Sequence, residues 1–128
     1  MTIDTNLQIL IVDDYKTMLR IIRHQLKQVG LTCVEVASDG AGALEKLREK
    51  AFGLVISDWN MQPMTGLDLL HEVRADPELA HLPFIMITAE SKAEKVVTAK
   101  EAGVDNYIVK PFNAETLKAK IMGVVGKA

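Results

Sequence analysis

The chain has 128 residues, the size of one ordinary domain with a single hydrophobic core. Its composition, 48% hydrophobic and 25% charged residues, is typical of a globular protein and excludes a disordered or membrane-embedded chain. Fifteen basic and seventeen acidic side chains give a formal net charge of −2, so electrostatics offers no general reason to bind nucleic acid or an anionic membrane. We expect protein partners.

The single cysteine and the start of the chain indicate a cytoplasmic location. Cys33 has no partner for an internal disulfide and stands in the apolar run Cys33–Val36, where we interpret it as a small strand residue in a reducing compartment. Residues 1–6 contain no basic start followed by an apolar run, and no stretch approaches the roughly 18 apolar residues of a membrane span. We therefore expect one cytoplasmic domain, residues 1–128, with no effector domain.

The first strand and the first helix show two different apolar periods. Leu7–Val12 is a nearly continuous apolar run that ends at Asp13 and Asp14, as expected of a buried parallel strand with polar residues at its carboxyl end. The apolar residues that follow recur at helical spacing: Met18, Leu19, Ile22, Leu26 and Val29. Gly30 predicts the end of this helix, because a residue with positive φ is favoured there.

A second strand, a second helix and a third strand follow. Thr32–Ala37 is apolar and β-branched, which favours a strand, and Asp39 is suited to cap the helix after it. The run Leu54–Ile56 predicts a third strand that leads into Asp58. Like the first strand, it ends in a carboxylate.

The third helix and the fourth strand are also marked in the sequence. Leu67, Leu70 and Val73 form an apolar helical stripe. This helix ends before Pro77, because the residue preceding a proline disfavours the α conformation. Phe84–Ile87 then predicts the fourth strand.

The fourth helix has signals at both ends. Ser91 and Glu94 match a capping box, which predicts the start of the helix. Val96 and Val97 are expected to supply its apolar contacts. Gly103 predicts its end.

The last elements complete an α/β pattern. Tyr107–Val109 predicts the fifth strand, and Asn113 is suited to cap a final helix with the apolar residues Leu117, Ile121 and Val125. Five strands that alternate with five helices predict a doubly wound parallel sheet covered on both faces. In such sheets, ligands bind beyond the carboxyl ends of the strands.

Polar side chains stand at the carboxyl ends of four of these strands. They are Asp13, Asp14, Asp58, Thr88 and Lys110. We expect them to converge on one cleft. Taken singly, each is typical of a helix cap, a turn or a solvated charge, but the set is not. Three neighbouring carboxylates repel one another and favour a hard divalent cation, for which Mg²⁺ is the natural candidate.

The same set suits phosphoryl chemistry. A carboxylate such as that of Asp58 can attack phosphorus and form an acyl phosphate, while Mg²⁺ and a lysine neutralise charge on the phosphoryl oxygens. A hydroxyl donor and one positive side chain complete the requirements. Thr88 and Lys110 supply them.

Four segments carry a family resemblance: Ile9–Asp14, Ser57–Met61, Thr88–Glu90 and Tyr107–Phe112. Together they resemble the receiver domains of two-component response regulators, and the resemblance spans nearly the whole chain. Trp59–Met61 and Thr88–Glu90 resemble the chemotaxis regulators of that family in particular. By analogy with the family we expect the strand order 2-1-3-4-5.

The resemblance implies a metal site and a phosphoacceptor. Asp58 would accept the phosphoryl group. The Asp14 and Asp58 carboxylates and the backbone carbonyl of Asn60 would bind Mg²⁺, with Asp13 helping through water.

The resemblance also implies a switch. Thr88 would move toward the phosphoryl group, Lys110 would pair with it, and Tyr107 would turn inward to fill the space that Thr88 leaves. The bond between Lys110 and Pro111 is often cis in the family, which a tertiary amide permits.

One segment departs from the family pattern. Gln62–Gly66 replaces the commoner proline-x-Met-Asp-Gly, so that the proline is moved by one place and an acidic residue is lost. The metal and phosphoryl ligands are unaffected. We expect the departure to change the loop beside Asp58 and, with it, the lifetime of the phosphoryl group and the match to a phosphatase.

The function implied by the resemblance is that of a signalling protein. A histidine kinase of the chemotaxis type would phosphorylate Asp58, and the face formed by helix four, strand five and helix five would then bind the flagellar motor switch. The alternative output is a phosphate sink or an adaptor in another phosphorelay.

Enzymes form a different class of alternative, either a small Mg²⁺-dependent phosphatase or a flavodoxin-like flavin carrier. A phosphatase would need a cap over its substrate, for which this chain leaves little room. A flavin carrier would need a phosphate-cradling loop after the first strand, where this chain has none. We expect no enzyme activity beyond self-phosphorylation from a phosphodonor and autodephosphorylation.

Overall fold

The computed structural model describes residues 5–89 and 93–125, in which strands and helices alternate along the chain. The elements are β1 Ile9–Val12, α1 Lys16–Gln28, β2 Val34–Ala37, α2 Gly40–Glu49, β3 Leu54–Asp58, α3 Gly66–Ala75, β4 Phe84–Thr88, α4 Ala93–Glu101, β5 Asn106–Val109 and α5 Ala114–Val125. The predicted five strands and five helices are confirmed. The expected capping box at Ser91 lies outside the described residues, as does the start of the chain at 1–4.

The strands form one parallel sheet in the order β2-β1-β3-β4-β5, which confirms the expected order. Each pair is parallel, with Val12 level with Ser57, Asp58 level with Ile87 and Thr88 level with Val109. The carboxyl ends of β1, β3, β4 and β5 therefore reach the same edge of the sheet.

Both faces of the sheet are covered, because strand residues alternate between them. Leu10 and Val12 pack with α2, α3 and α4, whereas Ile9 and Ile11 pack with α1 and α5. All four residues of β1 are buried, which explains their unbroken apolar run. No helix among the described residues has the length and apolar character needed to cross a membrane.

Several helix ends are as the sequence predicts. Asp39 Oδ1 accepts a hydrogen bond of 2.7 Å from the Gly42 N–H, and Asn113 Oδ1 accepts one of 2.8 Å from the Thr116 N–H. Gly103, after α4, has a φ of 96°, a conformation that side chains bearing a Cβ rarely adopt.

The first two strands begin two residues later than predicted, at Ile9 and Val34. Three side chains also differ from the sequence prediction. Val97 was expected to pack inward, but it is 52% exposed and Ala99 is buried instead, because residues two apart point about 200° from each other around a helix. Leu67 is only half-buried, and Leu69 takes its place in the core. Cys33 lies just before β2 rather than within it, and it is partly exposed.

A polar clamp joins α3 to the loops at the amino ends of β4 and β5. The guanidinium of Arg74 donates to the Gly103 carbonyl from Nε at 3.0 Å and from Nη2 at 2.8 Å, and to the Leu82 carbonyl from Nη1 at 2.6 Å. Nη2 also donates to Asp105 Oδ2 at 3.0 Å, and that same oxygen accepts the Phe84 N–H at 2.8 Å. Because the planar guanidinium presents several donors at once, it satisfies carbonyls from two loops together.

We predict that Arg74→Met lowers the free energy of unfolding by about 2 kcal/mol, because it leaves carbonyls of two loops without their donor. Urea unfolding followed by circular dichroism measures the change. Arg48→Met is the matched control, since Arg48 is an exposed arginine whose ion pair with Asp76 spans 3.5 Å. Equal stability losses in the two variants would contradict the prediction.

Candidate functional site

The register of the sheet brings the predicted site residues together. Asp13 follows Val12, which is level with Ser57, so the Asp13 and Asp58 side chains stand beside each other at the ends of β1 and β3. Thr88 ends β4, and Lys110 follows β5, where its N–H donates to the Thr88 carbonyl at 2.8 Å. The expected convergence on one cleft is therefore present in the fold.

Three carboxylates form the acidic part of this cleft. Asp13, Asp14 and Asp58 each present an oxygen, and these atoms all lie within 4.8 Å of one another. Asp13 and Asp58 are buried, at 1% and 4% exposure, while Asp14 is exposed. The cluster thus combines two desolvated carboxylates with one that faces solvent.

The two oxygens of Asp13 have different surroundings. Oδ1 accepts a hydrogen bond of 2.9 Å from the Tyr15 N–H, but Oδ2 is buried without a hydrogen-bond partner. Burial raises the pKa of the Asp13 carboxyl to about 6; the Tyr15 N–H opposes the rise and the charge of Asp58 adds to it. A buried oxygen with no donor is free to bind a cation, and an all-oxygen set of this kind suits Mg²⁺.

Lys110 supplies positive charge to Asp58. Its Nζ lies 2.7 Å from Asp58 Oδ1 in an ion pair whose carboxylate side chain is 5% exposed and whose lysine side chain is 25% exposed. The peptide bond from Lys110 to Pro111 is cis, as the resemblance implied. Beside this pair, the Thr88 side chain is fully buried at the end of β4.

The loop after Asp58 is held by the backbone of Trp59. The Trp59 N–H donates to the Ile87 carbonyl at 2.9 Å, and the Trp59 carbonyl accepts the N–H groups of Met61 at 3.1 Å and Gly66 at 2.8 Å. Asn60, the expected carbonyl ligand, lies in this loop and is exposed. Its role in metal binding stays a prediction.

Gly66 is a site residue that sequence reasoning missed. A Cβ built on it would stand 2.2 Å from the Asp58 carbonyl oxygen and 2.9 Å from the Trp59 Cα, so only glycine allows α3 to begin this close to the end of β3. Thr65 before it caps α3 in a reciprocal box with Asp68. The signal in the sequence was a capping residue followed by glycine at the start of an apolar helical stripe.

Tyr107, the expected switch residue, lies on β5. It is half-buried and packs against the core on the face covered by α2, α3 and α4. The inward turn of its ring stays a prediction.

A family model agrees with this geometry. The model for the response regulator receiver domain matches residues 9–122. The chain belongs to the response-regulator receiver family. Receiver domains bind Mg²⁺ at an acidic site, and Asp13, Asp14 and Asp58 form an acidic cluster in this one. Because receiver domains act in signalling, the phosphatase and flavin-carrier alternatives are set aside.

This receiver domain is similar to chemotaxis proteins along nearly its whole length. CheY-3 of Vibrio cholerae is 50% identical over 119 residues, which cover 93% of this chain and 92% of that protein. CheY of Pseudomonas aeruginosa is 50% identical over 115 residues, covering 90% and 93%. The solved structure of CheY4 of Vibrio cholerae has a TM-score of 0.86 at 36% identity and covers 92% of this chain and 98% of its own. The resemblance stated from the sequence is confirmed.

We predict that Asp13→Asn stabilises the metal-free receiver by about 1–3 kcal/mol near pH 7.5, because it removes a charge from a buried and partly unpaired carboxylate. The pKa of Asp13 in the folded protein lies above its value in the unfolded chain. The parent therefore becomes less stable, relative to the variant, as the pH rises from about 4 through about 6. The difference between parent and variant should therefore vanish below about pH 4. Urea unfolding across this pH range measures it.

Added Mg²⁺ should stabilise the parent and shrink the advantage of the Asp13→Asn variant, because a bound cation compensates the charge that the substitution removes. Asp14→Asn is the control in metal-free buffer, since Asp14 is exposed and its neutralisation should change stability by less than about 0.5 kcal/mol. A metal-free Asp13→Asn protein that is less stable than the parent at neutral pH would count against this electrostatic account.

Proposed function

We propose that this receiver domain is a phosphoryl-controlled switch in which Asp58 accepts the phosphoryl group. The ion pair of 2.7 Å between Lys110 Nζ and Asp58 Oδ1, inside a cluster of three carboxylates, is the observation that carries the proposal. It supports a nucleophilic carboxylate whose partner lysine is already in place to neutralise a transferred anion.

The acidic cluster would hold Mg²⁺ beside the phosphoacceptor. Asp14, Asp58 and the Asn60 carbonyl are the proposed ligands, with Asp13 acting through water. The buried Asp13 Oδ2, which lacks a donor, fits this arrangement. When bound, Mg²⁺ supplies positive charge that reduces the repulsion between the carboxylates and the incoming phosphoryl oxygens.

The transfer step replaces one bond to phosphorus with another. A carboxylate oxygen of Asp58 forms a bond to the phosphorus of a phosphohistidine, and the bond from phosphorus to the imidazole nitrogen breaks. The electron pair of that bond stays on the imidazole, which takes up a proton from solvent. Lys110 and Thr88 would then contact the phosphoryl oxygens. Attack of water on phosphorus later releases phosphate and restores the carboxylate.

The proposed output is binding of a target protein by the face formed by α4, β5 and α5. Val97 on α4 and Val109 on β5 are 52% and 37% exposed, so this face already presents apolar surface to solvent. Movement of Thr88 toward the phosphoryl group, together with an inward turn of Tyr107, would change this face. Tyr107 lies on the strand next to Thr88, which supports a connection between the two.

We place this switch in chemotaxis, in the cytoplasm. The support is the 50% identity to two chemotaxis proteins over at least 90% of the chain. The proposed phosphodonor is a histidine kinase of the chemotaxis type, and the proposed target is the flagellar motor switch. A dedicated phosphatase is a further expected partner.

We predict that the parent protein gains the mass of one phosphoryl group when mixed with Mg²⁺ and a small phosphodonor, and that Asp58→Asn gains none. Intact mass spectrometry measures the gain, which should disappear on mild alkaline treatment because acyl phosphates hydrolyse readily. Asp105→Asn is the control, since that aspartate lies at the opposite edge of the sheet. An Asp58→Asn protein that is phosphorylated like the parent would overturn the assignment.

We predict that deleting the gene abolishes the switching of flagellar rotation, and that the parent gene restores it whereas the Asp58→Asn gene does not. The physical reason is that the variant keeps the fold but lacks the nucleophile. Tracking of swimming cells measures the turning frequency. Normal swimming in the deletion strain would leave the phosphoryl switch intact and favour the output as a phosphate sink or an adaptor.

A further inference from the structure

Helix α4 is the element with the least apolar anchoring on its face of the sheet. Among its described side chains, 94–101, Ala99 alone is fully buried, whereas α3 on the same face buries Leu69, Leu70 and Val73. Alanine buries far less apolar area than leucine, so hydrophobic packing holds α4 weakly. The position of this helix therefore depends on the contacts near its two ends.

The carboxyl end of α4 is fixed by hydrogen bonds. The Val104 N–H donates to the Ala99 carbonyl at 3.0 Å, and the Gly103 N–H donates to the Lys100 carbonyl at 3.0 Å. The Gly103 carbonyl in turn accepts two bonds from Arg74 on α3. The carboxyl end of α4 therefore cannot move without breaking the hydrogen bonds of the Arg74 clamp.

Near its other end, α4 touches the segment that follows Asp58. The ammonium of Lys95 lies 4.8 Å from the centroid of the Trp59 ring, within the range of a cation–π contact. Trp59 is 6% exposed, and its backbone is held by Ile87 and Gly66. The ring is thus largely buried, whereas Lys95 is only partly buried.

The chain offers this lysine no competing carboxylate among its described residues. The ion pairs found there involve Lys46, Arg48, Lys50, Arg74 and Lys110 and do not include Lys95. The aromatic face of Trp59 is therefore the partner that the structure gives to the Lys95 charge.

We propose that Lys95 is a positioning residue that couples α4 to the phosphoacceptor through Trp59. Trp59 is bonded directly to Asp58, and α4 carries Val97 of the proposed target-binding face. A change of charge at Asp58 then alters the environment of the Trp59 ring, which Lys95 contacts. The end of α4 that carries Lys95 responds, because it is weakly packed. This inference rests on the proposed function of Asp58 as the phosphoacceptor.

The test compares Lys95→Met, which keeps an apolar stem without the charge, with Lys95→Arg, which keeps a cation for the ring. Lys100→Met is the matched control, because Lys100 is an exposed lysine on the same helix. Two measurements are made on the full chain: Trp59 fluorescence, which is specific because the chain has one tryptophan, and hydrogen exchange of peptides from α1, α4 and α5.

In the resting protein, Lys95→Met should shift the Trp59 emission and speed exchange in α4 by about fivefold, the effect of losing a partly buried cation–π contact. Exchange in α1 and α5 should stay unchanged, and Lys95→Arg should behave like the parent. Emission and α4 exchange equal to those of the parent would overturn the proposal. So would an equal effect of Lys100→Met, or faster exchange throughout the chain in both Lys95 variants.

Coupling is tested by adding Mg²⁺ with beryllofluoride, an analogue of the phosphoryl group. In the parent, exchange in α4 should change on addition, and in Lys95→Met that change should fall to less than half. A full change in Lys95→Met would overturn the coupling while leaving Asp58 as phosphoacceptor. No response in the parent, together with no mass gain from a phosphodonor, would instead contradict the proposed function. In that case the comparison of the resting proteins would still decide whether Lys95 holds α4 in place.

Discussion

Buried negative charge at one edge of the sheet is the constraint around which this protein is organised. Two desolvated carboxylates, Asp13 and Asp58, stand side by side with a third, Asp14, at the surface. Lys110, just after β5, balances part of this charge, and the Tyr15 N–H balances another part. The remainder lies at Asp13 Oδ2, which is buried without a hydrogen-bond donor. Electrostatics therefore favours a cation in this cleft.

The parallel sheet is what makes such a cluster possible. A short apolar strand buried on both faces holds its last residue in one place, and neighbouring strands bring their last residues to the same level. The apolar cores on the two faces supply the stability that offsets repulsion at the edge. The cluster therefore occurs where the sheet register holds the ends of buried strands side by side.

The fold and the placement of the candidate site residues were predictable from the sequence for this reason. Leu54–Ile56 followed by a carboxylate identifies both a buried strand and the residue at its end, so the pattern alone locates Asp58 at the edge of the sheet. Val97 was misplaced because a short helix with few apolar residues has no clear stripe, and alanine carries little signal. The tight approach at Gly66 depends on the backbone of another element, which local sequence patterns do not record.

The Arg74 clamp lies at the edge of the sheet opposite to the carboxylates, since it joins loops at the amino ends of β4 and β5. The Arg74 clamp and the acidic cluster are thus separated by the length of a strand. Substitutions at one edge leave the electrostatics of the other largely unaltered, because charge interactions at that distance are screened. Protein engineers therefore have a region of this molecule in which thermostability can be raised without retuning its signalling.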